Sequence, residues 1–199
     1  MSDQKIDGGK RTWIIASGCA GAVGAGFVAV PFVSSFQPSE RARAAGASVE
    51  VDISGIKPGE QLTVEWRGKP VWVVRRTPEQ LAALPKLDPQ LADPASKRKP
   101  DELTPEYARN ENRSRKPEYL VVVGICTHLG CSPIDKFVPG AQASLPDDWA
   151  GGFLCPCHGS TFDMAGRVFK DKPAPDNLEV PPHMYLSDSR LVIGEEKRA

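Results

Sequence analysis

From Thr12 to Ser39 the chain carries no charged residue, and after that it never again runs so long without one. A helix from Trp13 to Phe36 would be about 36 Å long at ~1.5 Å per residue, enough to cross a hydrocarbon layer of ~30 Å. The pattern then changes. "SVEVDIS" (48–54) alternates apolar and polar positions with the period of a strand. "QLTVEWRGKPVWVVRRT" (61–77) reads as two strands around a tight turn at Arg67-Gly68-Lys69. "PEQLAAL" (78–84) suits a short helix, and the charged, proline-rich stretch 85–117 a long surface excursion. "EYLVVVGI" (118–125) is the strongest strand, and "GGFLC" (151–155), "RVFK" (167–170), "LEVPPHMYL" (178–186) and "RLVIGE" (190–195) add short ones. Many short strands separated by turn residues predict a mainly β, antiparallel head behind one N-terminal transmembrane helix.

The domain plan follows: 1–11 as a polar N-terminus, 12–36 as an anchor, the Ala-rich 37–47 as a flexible linker, and 48–199 as the head. Two other fates for the apolar segment are a cleaved secretory signal ending near "AGAS" (45–48) and a lipoprotein signal ending at Cys19. Both leave more apolar chain than such signals use, so a retained span fits best. Gly18, Ala22 and Gly26 recur every four residues, a spacing that permits close helix contact but also arises wherever small residues are frequent. Lys5, Lys10 and Arg11 before the span, set against Arg41 and Arg43 after it, give a weak preference for a cytoplasmic N-terminus. Lys10-Arg11 ahead of Trp13-Ile14-Ile15 resembles a twin-arginine export signal with lysine in the first place. Charge adds an exclusion: 25 basic and 25 acidic residues leave no net charge and no basic run for nucleic acid.

Chemistry concentrates in two places. "GICTHLGCSP" (124–133) and "GFLCPCHGSTFD" (152–163) hold four of the five cysteines and two of the three histidines. Each contributes a Cys–His pair at ligand spacing, Cys126-x-His128 and Cys155-x-x-His158, plus one more cysteine, Cys131 and Cys157. A structural zinc site needs four ligands and leaves Cys131 and Cys157 over. Two disulfides would leave both histidines idle. A thioredoxin-like pair is excluded in its usual form, because Cys-Pro-Cys has one intervening residue rather than two. Cys19, alone in an apolar setting, reads as a small hydrophobe.

"CTHLGC" and "CPCHGS" resemble the two boxes of the Rieske iron–sulfur proteins. With the anchor and the extra cysteine pair, the chain is similar over nearly its whole length, from anchor to final strands, to the iron–sulfur subunits of bacterial ubiquinol–cytochrome c reductases. The resemblance implies a Rieske-type head whose cluster-binding part spans about 120–178, and one [2Fe–2S] cluster per chain. Cys126 and Cys155 would hold one iron, and His128 and His158 the other. Cys131 and Cys157 would join the two loops by a disulfide, as an oxidising compartment allows. Imidazoles in place of two thiolates remove negative charge and raise the potential from ~−400 mV toward ~−150 to +300 mV. Their second ring nitrogens would couple electron uptake to proton uptake.

By the same resemblance His158 hydrogen-bonds ubiquinol in a pocket of cytochrome b, and Leu129 and Gly130 form the apolar tip that docks there. The electron would pass to a membrane-bound c-type cytochrome within a dimeric complex of the bacterial inner membrane, with the head in the periplasm. Ser160 would hydrogen-bond a cluster sulfide, and Phe162 stands where high-potential members commonly carry tyrosine. "KPAPDNL" (172–178) is similar to the family's proline-rich third loop, with Lys172 where glycine is frequent. The stretch 135–149 looks like a surface insertion, a plain loop or a partner contact. His183 lies outside both boxes, structural or surface. A competing assignment within the same chemistry is the small subunit of an arsenite-type oxidase, and one from another class is a zinc-stapled interaction domain.

Overall fold

The computed structural model describes residues 7–40 and 46–196, in two units, 1–44 and 45–199, each taken by itself. The first is one helix, α1 (Gly8–Ser34), opened by Asp7, whose carboxylate accepts from the N–H groups of Gly9 and Lys10. It begins four residues before the expected anchor and ends two before it. Its side chains are exposed throughout, and it is long and apolar enough to cross a membrane. Pro31 lies inside it without ending it. Residues 41–45, the middle of the expected linker, together with Lys5, Arg41 and Arg43, fall outside the described residues.

The head is three antiparallel sheets of three strands. β1 (Val49–Asp52), β8 (His183–Tyr185) and β9 (Arg190–Ile193) form one in the order β1-β9-β8, so the first and last strands of the head close on each other. β2 (Gln61–Trp66), β3 (Lys69–Arg75) and β4 (Tyr119–Val123) form the second. β5 (Ile134–Lys136), β6 (Gly152–Leu154) and β7 (Thr161–Asp163) form the third. The β2–β3 turn is tighter than expected. Trp66 already pairs with Lys69, and Arg67 and Gly68 both take positive φ, the combination a two-residue hairpin demands.

β4 explains its own sequence. Leu120 and Val122 belong to one core with Trp72, Phe153 and Phe162, while Tyr119, Val121 and Val123 belong to a second with Ile53, Leu191 and Ile193. A strand buried on both faces must be apolar without alternation.

α2 (Pro78–Leu87) outruns the expected 78–84. A capping box between Thr77 and Gln80 fixes its start, Pro78 occupies the first turn, and Pro85 is tolerated within it. The excursion 85–117, with the short α3 (Pro100–Leu103), is not merely surface: Asp93, Ser96, Thr104, Ala108, Arg113 and Ser114 are buried. The expected strand 167–170 is reduced to two isolated bridges, Phe162↔Val168 and Leu91↔Phe169. Of 178–186 only β8 is strand, since Pro181 and Pro182 have no N–H to give a ladder.

Three buried guanidinium groups fasten the turn 163–167. Arg76 donates to Met164 O, Arg113 to Ala165 O and Gly166 O, and Arg167 to the buried Asp163 carboxylate at 2.8 Å. Burial pushes Arg76 and Arg113 down to about 10, still protonated at neutral pH. Backbone carbonyls, more than counter-charges, satisfy them. This clamp ties β7, and with it the second box, to the excursion.

Candidate metal centre

The two boxes fold into the same loop twice. Cys126 N donates to Cys131 O at 2.8 Å and Gly130 N to Cys126 O at 3.1 Å. Cys155 N donates to Ser160 O at 2.7 Å and Gly159 N to Cys155 O at 3.0 Å. In each loop the fifth residue is a glycine in the left-handed region, Gly130 at φ 83° and Gly159 at φ 73°. A side chain there would be strained, which is why both boxes carry glycine at that place. β4 leads into the first loop, and β6 and β7 flank the second.

Within this frame the donors segregate. Cys126 and Cys155 are buried, 2% exposed each, as free thiols at the edge of the first core. His158 is exposed and His128 half-buried, their rings edge to face with centroids 4.8 Å apart. Burial raises the Cys126 thiol above its usual range; the His128 N–H and the Ser160 hydroxyl favour its thiolate, and the nearby Cys155 opposes it. Cys131 and Cys157 form a disulfide across the two loops. The sulfurs of Cys131, Cys155 and Cys157 lie within 4.8 Å of one another, but two of them are spent on each other and only Cys155 keeps a thiol. Two sulfurs inside and two imidazoles outside make a polar-ended, two-sided donor set. It suits a two-iron cluster better than one tetrahedral ion.

Leu129, 72% exposed, and Gly130 stand out beside His128. Ser160 is fully buried, and its Oγ accepts from Ala174 N–H at 3.0 Å. Phe162 is fully buried in the first core, across from Phe153 in the β6–β7 ladder. The third loop is laced to both boxes: Ala174 reaches Ser160, and Thr127 Oγ1 donates to Asp176 O at 2.6 Å. Asn177 holds it from below, accepting from Val168 N–H and donating to Asp93 O and Ser96 Oγ. The left-handed residue lies just before this loop, at Asp171, so Lys172 needs no glycine-like backbone. Part of the insertion is ordered as β5, and Trp149 is buried with its indole N–H on Lys136 O. His183 is a core residue.

Sequence reasoning missed the lacing residues Thr127, Asn177 and Asp176, and the arginine clamp. Thr127 lay inside a quoted box and Asp176 and Asn177 inside the quoted third loop; for the arginines no local pattern announces the contact.

The Rieske [2Fe-2S] domain profile matches residues 108–182, and a profile described as the ubiquinol–cytochrome c reductase Fe–S subunit TAT signal matches 13–39. The ubiquinol–cytochrome c reductase iron–sulfur subunit of Allochromatium vinosum is 57% identical over 188 residues, 94% of this chain and 89% of that one. Its counterpart from Bradyrhizobium diazoefficiens is 41% identical over 181 residues, 90% of each. A solved structure of a hyperthermophilic respiratory Complex III is 27% identical, covering 89% of this chain and 97% of its own at a TM-score of 0.48. The chain belongs to the Rieske iron–sulfur subunits of ubiquinol–cytochrome c reductase.

Proposed function

We propose that Cys126 and Cys155 hold one iron of a [2Fe–2S] cluster and His128 and His158 the other, in the electron-transfer subunit of a quinol–cytochrome c reductase. The observation that carries this is the segregated donor set, buried sulfurs and outward imidazoles tied by the Cys131–Cys157 disulfide. Bound there, the cluster supplies one-electron chemistry at a potential raised by its two neutral ligands. The chain does the rest. The second ring nitrogen of His158, exposed at the tip, is placed to hydrogen-bond ubiquinol and take up its proton. Leu129 and Gly130 offer the apolar point that docks into cytochrome b, and the core behind Cys126 and Cys155 keeps water from the sulfurs. Ser160, beside the Cys126 thiol, stabilises negative charge on the sulfur side.

The electron then goes to a membrane-bound c-type cytochrome of the same dimeric complex. α1 anchors the chain in the bacterial inner membrane, and the head lies in the periplasm. Family membership favours this over the arsenite-type oxidase subunit and over the zinc-stapled domain. Iron and acid-labile sulfide assays with EPR of the reduced protein test it. We expect about two irons and two sulfides per chain and a Rieske-type signal. Zinc in place of iron would overturn it.

A further inference from the structure

Beside the third loop the head carries a concentration of unpaired charge that the ligand set does not use. Two segments distant in sequence, 90–99 and 168–176, lie side by side. Leu91 bridges Phe169, Ala92 N donates to Val168 O, Lys170 N to Gln90 O, and an Arg98 guanidinium nitrogen to Pro175 O, each of these bonds at 2.9 Å. The pairing brings Arg98, Lys170 and Lys172 to one flank of the loop, with Lys97 next to Arg98 in the chain, all exposed. Among the described residues none of the four has a carboxylate within ion-pair distance. Lys99 is neutralised by Asp176 at 2.9 Å. The remaining acids here are Asp171, between the two lysines, and Asp93, buried and turned onto the N–H groups of Lys97 and Arg98. A shallow groove of about 310 Å³ runs across the flank, and its lining includes Arg98, Lys170 and Lys172 together with Asp171.

Position gives this flank its meaning. The loop it borders donates from Ala174 to Ser160, the last residue of the second box, so whatever docks here lies close to the metal centre. The whole chain has no net charge, and the excess is local. Charged rims mainly raise association rates and fix orientation, adding little lasting affinity. A head that must leave its partner at every turnover needs that balance.

We infer that this basic flank is a docking surface for an acidic face on the protein that accepts the electron, complementary to the apolar tip at Leu129. The inference rests on the electron-transfer reading above. Lys97→Glu with Lys172→Glu tests it, because neither side chain has a hydrogen bond or ion pair among the described residues, while Lys170 and Arg98 keep their carbonyl contacts. In the intact complex, rapid mixing with quinol gives two rates: cluster reduction, and electron loss to the c-type haem. We expect normal reduction with transfer to haem ~3–10-fold slower at low salt. Transfer in the unaltered complex should slow from ~20 to ~300 mM salt as screening shortens, and the variant should respond little. Unchanged transfer with unchanged salt dependence would overturn the inference. So would a deficit seen in vesicles containing phosphatidylglycerol but not in phosphatidylcholine alone, which would assign the flank to anionic lipid. Failure of quinol to reduce the cluster of the unaltered complex would instead reject the underlying reading.

Discussion

The tip of the head and its far sheet each hold histidine, and the two settings are opposite. At the tip His158 is exposed and His128 half-buried, ring against ring. In β8 His183 is fully buried. Its Nδ1 lies 2.9 Å from Pro181 O and 3.1 Å from the Tyr107 hydroxyl, and its Nε2 is buried without a partner. Among the described residues no carboxylate acts on it. Around it stand Tyr107, Tyr185 and Arg115, whose Nε donates to the His183 carbonyl and whose guanidinium lies over the Tyr107 ring. The same side chain is open to solvent at the tip, where we propose that it is a ligand, and a neutral peg in β8. Burial, not residue type, separates chemistry from structure.

The comparison breaks most visibly at the tip. Cys126→Ser should abolish the cluster, seen as loss of the EPR signal and of bound iron. Cys131→Ser or Cys157→Ser should leave the cluster assembled but more readily lost, because these sulfurs join the loops by a disulfide and are not among the proposed ligands. Equal loss in both classes would contradict the division of roles.

At the far sheet the expected effect is on stability. Burial lowers His183 from 6.5 to about 4. Below pH ~6.5 the unfolded chain takes a proton that the folded chain refuses until about 4. The contribution is therefore complete above that range and is lost as pH falls through it, on the order of 3 kcal/mol. His183→Leu removes the Tyr107 contact and lowers the baseline, yet its unfolding midpoint should fall less steeply from pH 7 to 4.5 than that of the unaltered head. Parallel pH profiles would show that His183 is not the titrating group.

How much of this was legible in the sequence depended on range. The anchor, the β2–β3 hairpin and β4 follow from local periodicity, and the two boxes from their spacing. β5 and β7, three residues each, are too short to show a period, and they exist because β6 pairs on both edges. The clamp by Arg76, Arg113 and Arg167 was hidden because arginine reads as surface wherever its carbonyl partners are remote in sequence. "RVFK" looked like a strand because its alternation is real; it finds only single bridges to pair with.

The smallest expected effects sharpen the tip itself. A hydroxyl aimed at a ligand sulfur is worth ~0.5–1.5 kcal/mol net, and ~1.4 kcal/mol corresponds to ~59 mV for one electron. Phe162→Tyr should thus raise the reduction potential by some tens of millivolts, and Ser160→Ala should lower it by a similar or larger amount. Redox titration decides: no upward shift in Phe162→Tyr with the cluster intact would mean that Phe162 only fills the core.

The Cys131–Cys157 disulfide has a consequence for biogenesis. It closes a ring across a sequence separation of 26, with both thiol donors tucked between the loops it joins. Sulfur and iron are handled where thiols stay reduced, whereas this bond persists where they do not. A chain carrying a TAT-type signal, the kind that exports proteins already folded, would meet those two environments in sequence. On that route loading would come first, with the loops free to part, and the disulfide would close after translocation. A chain oxidised too early would arrive locked and empty.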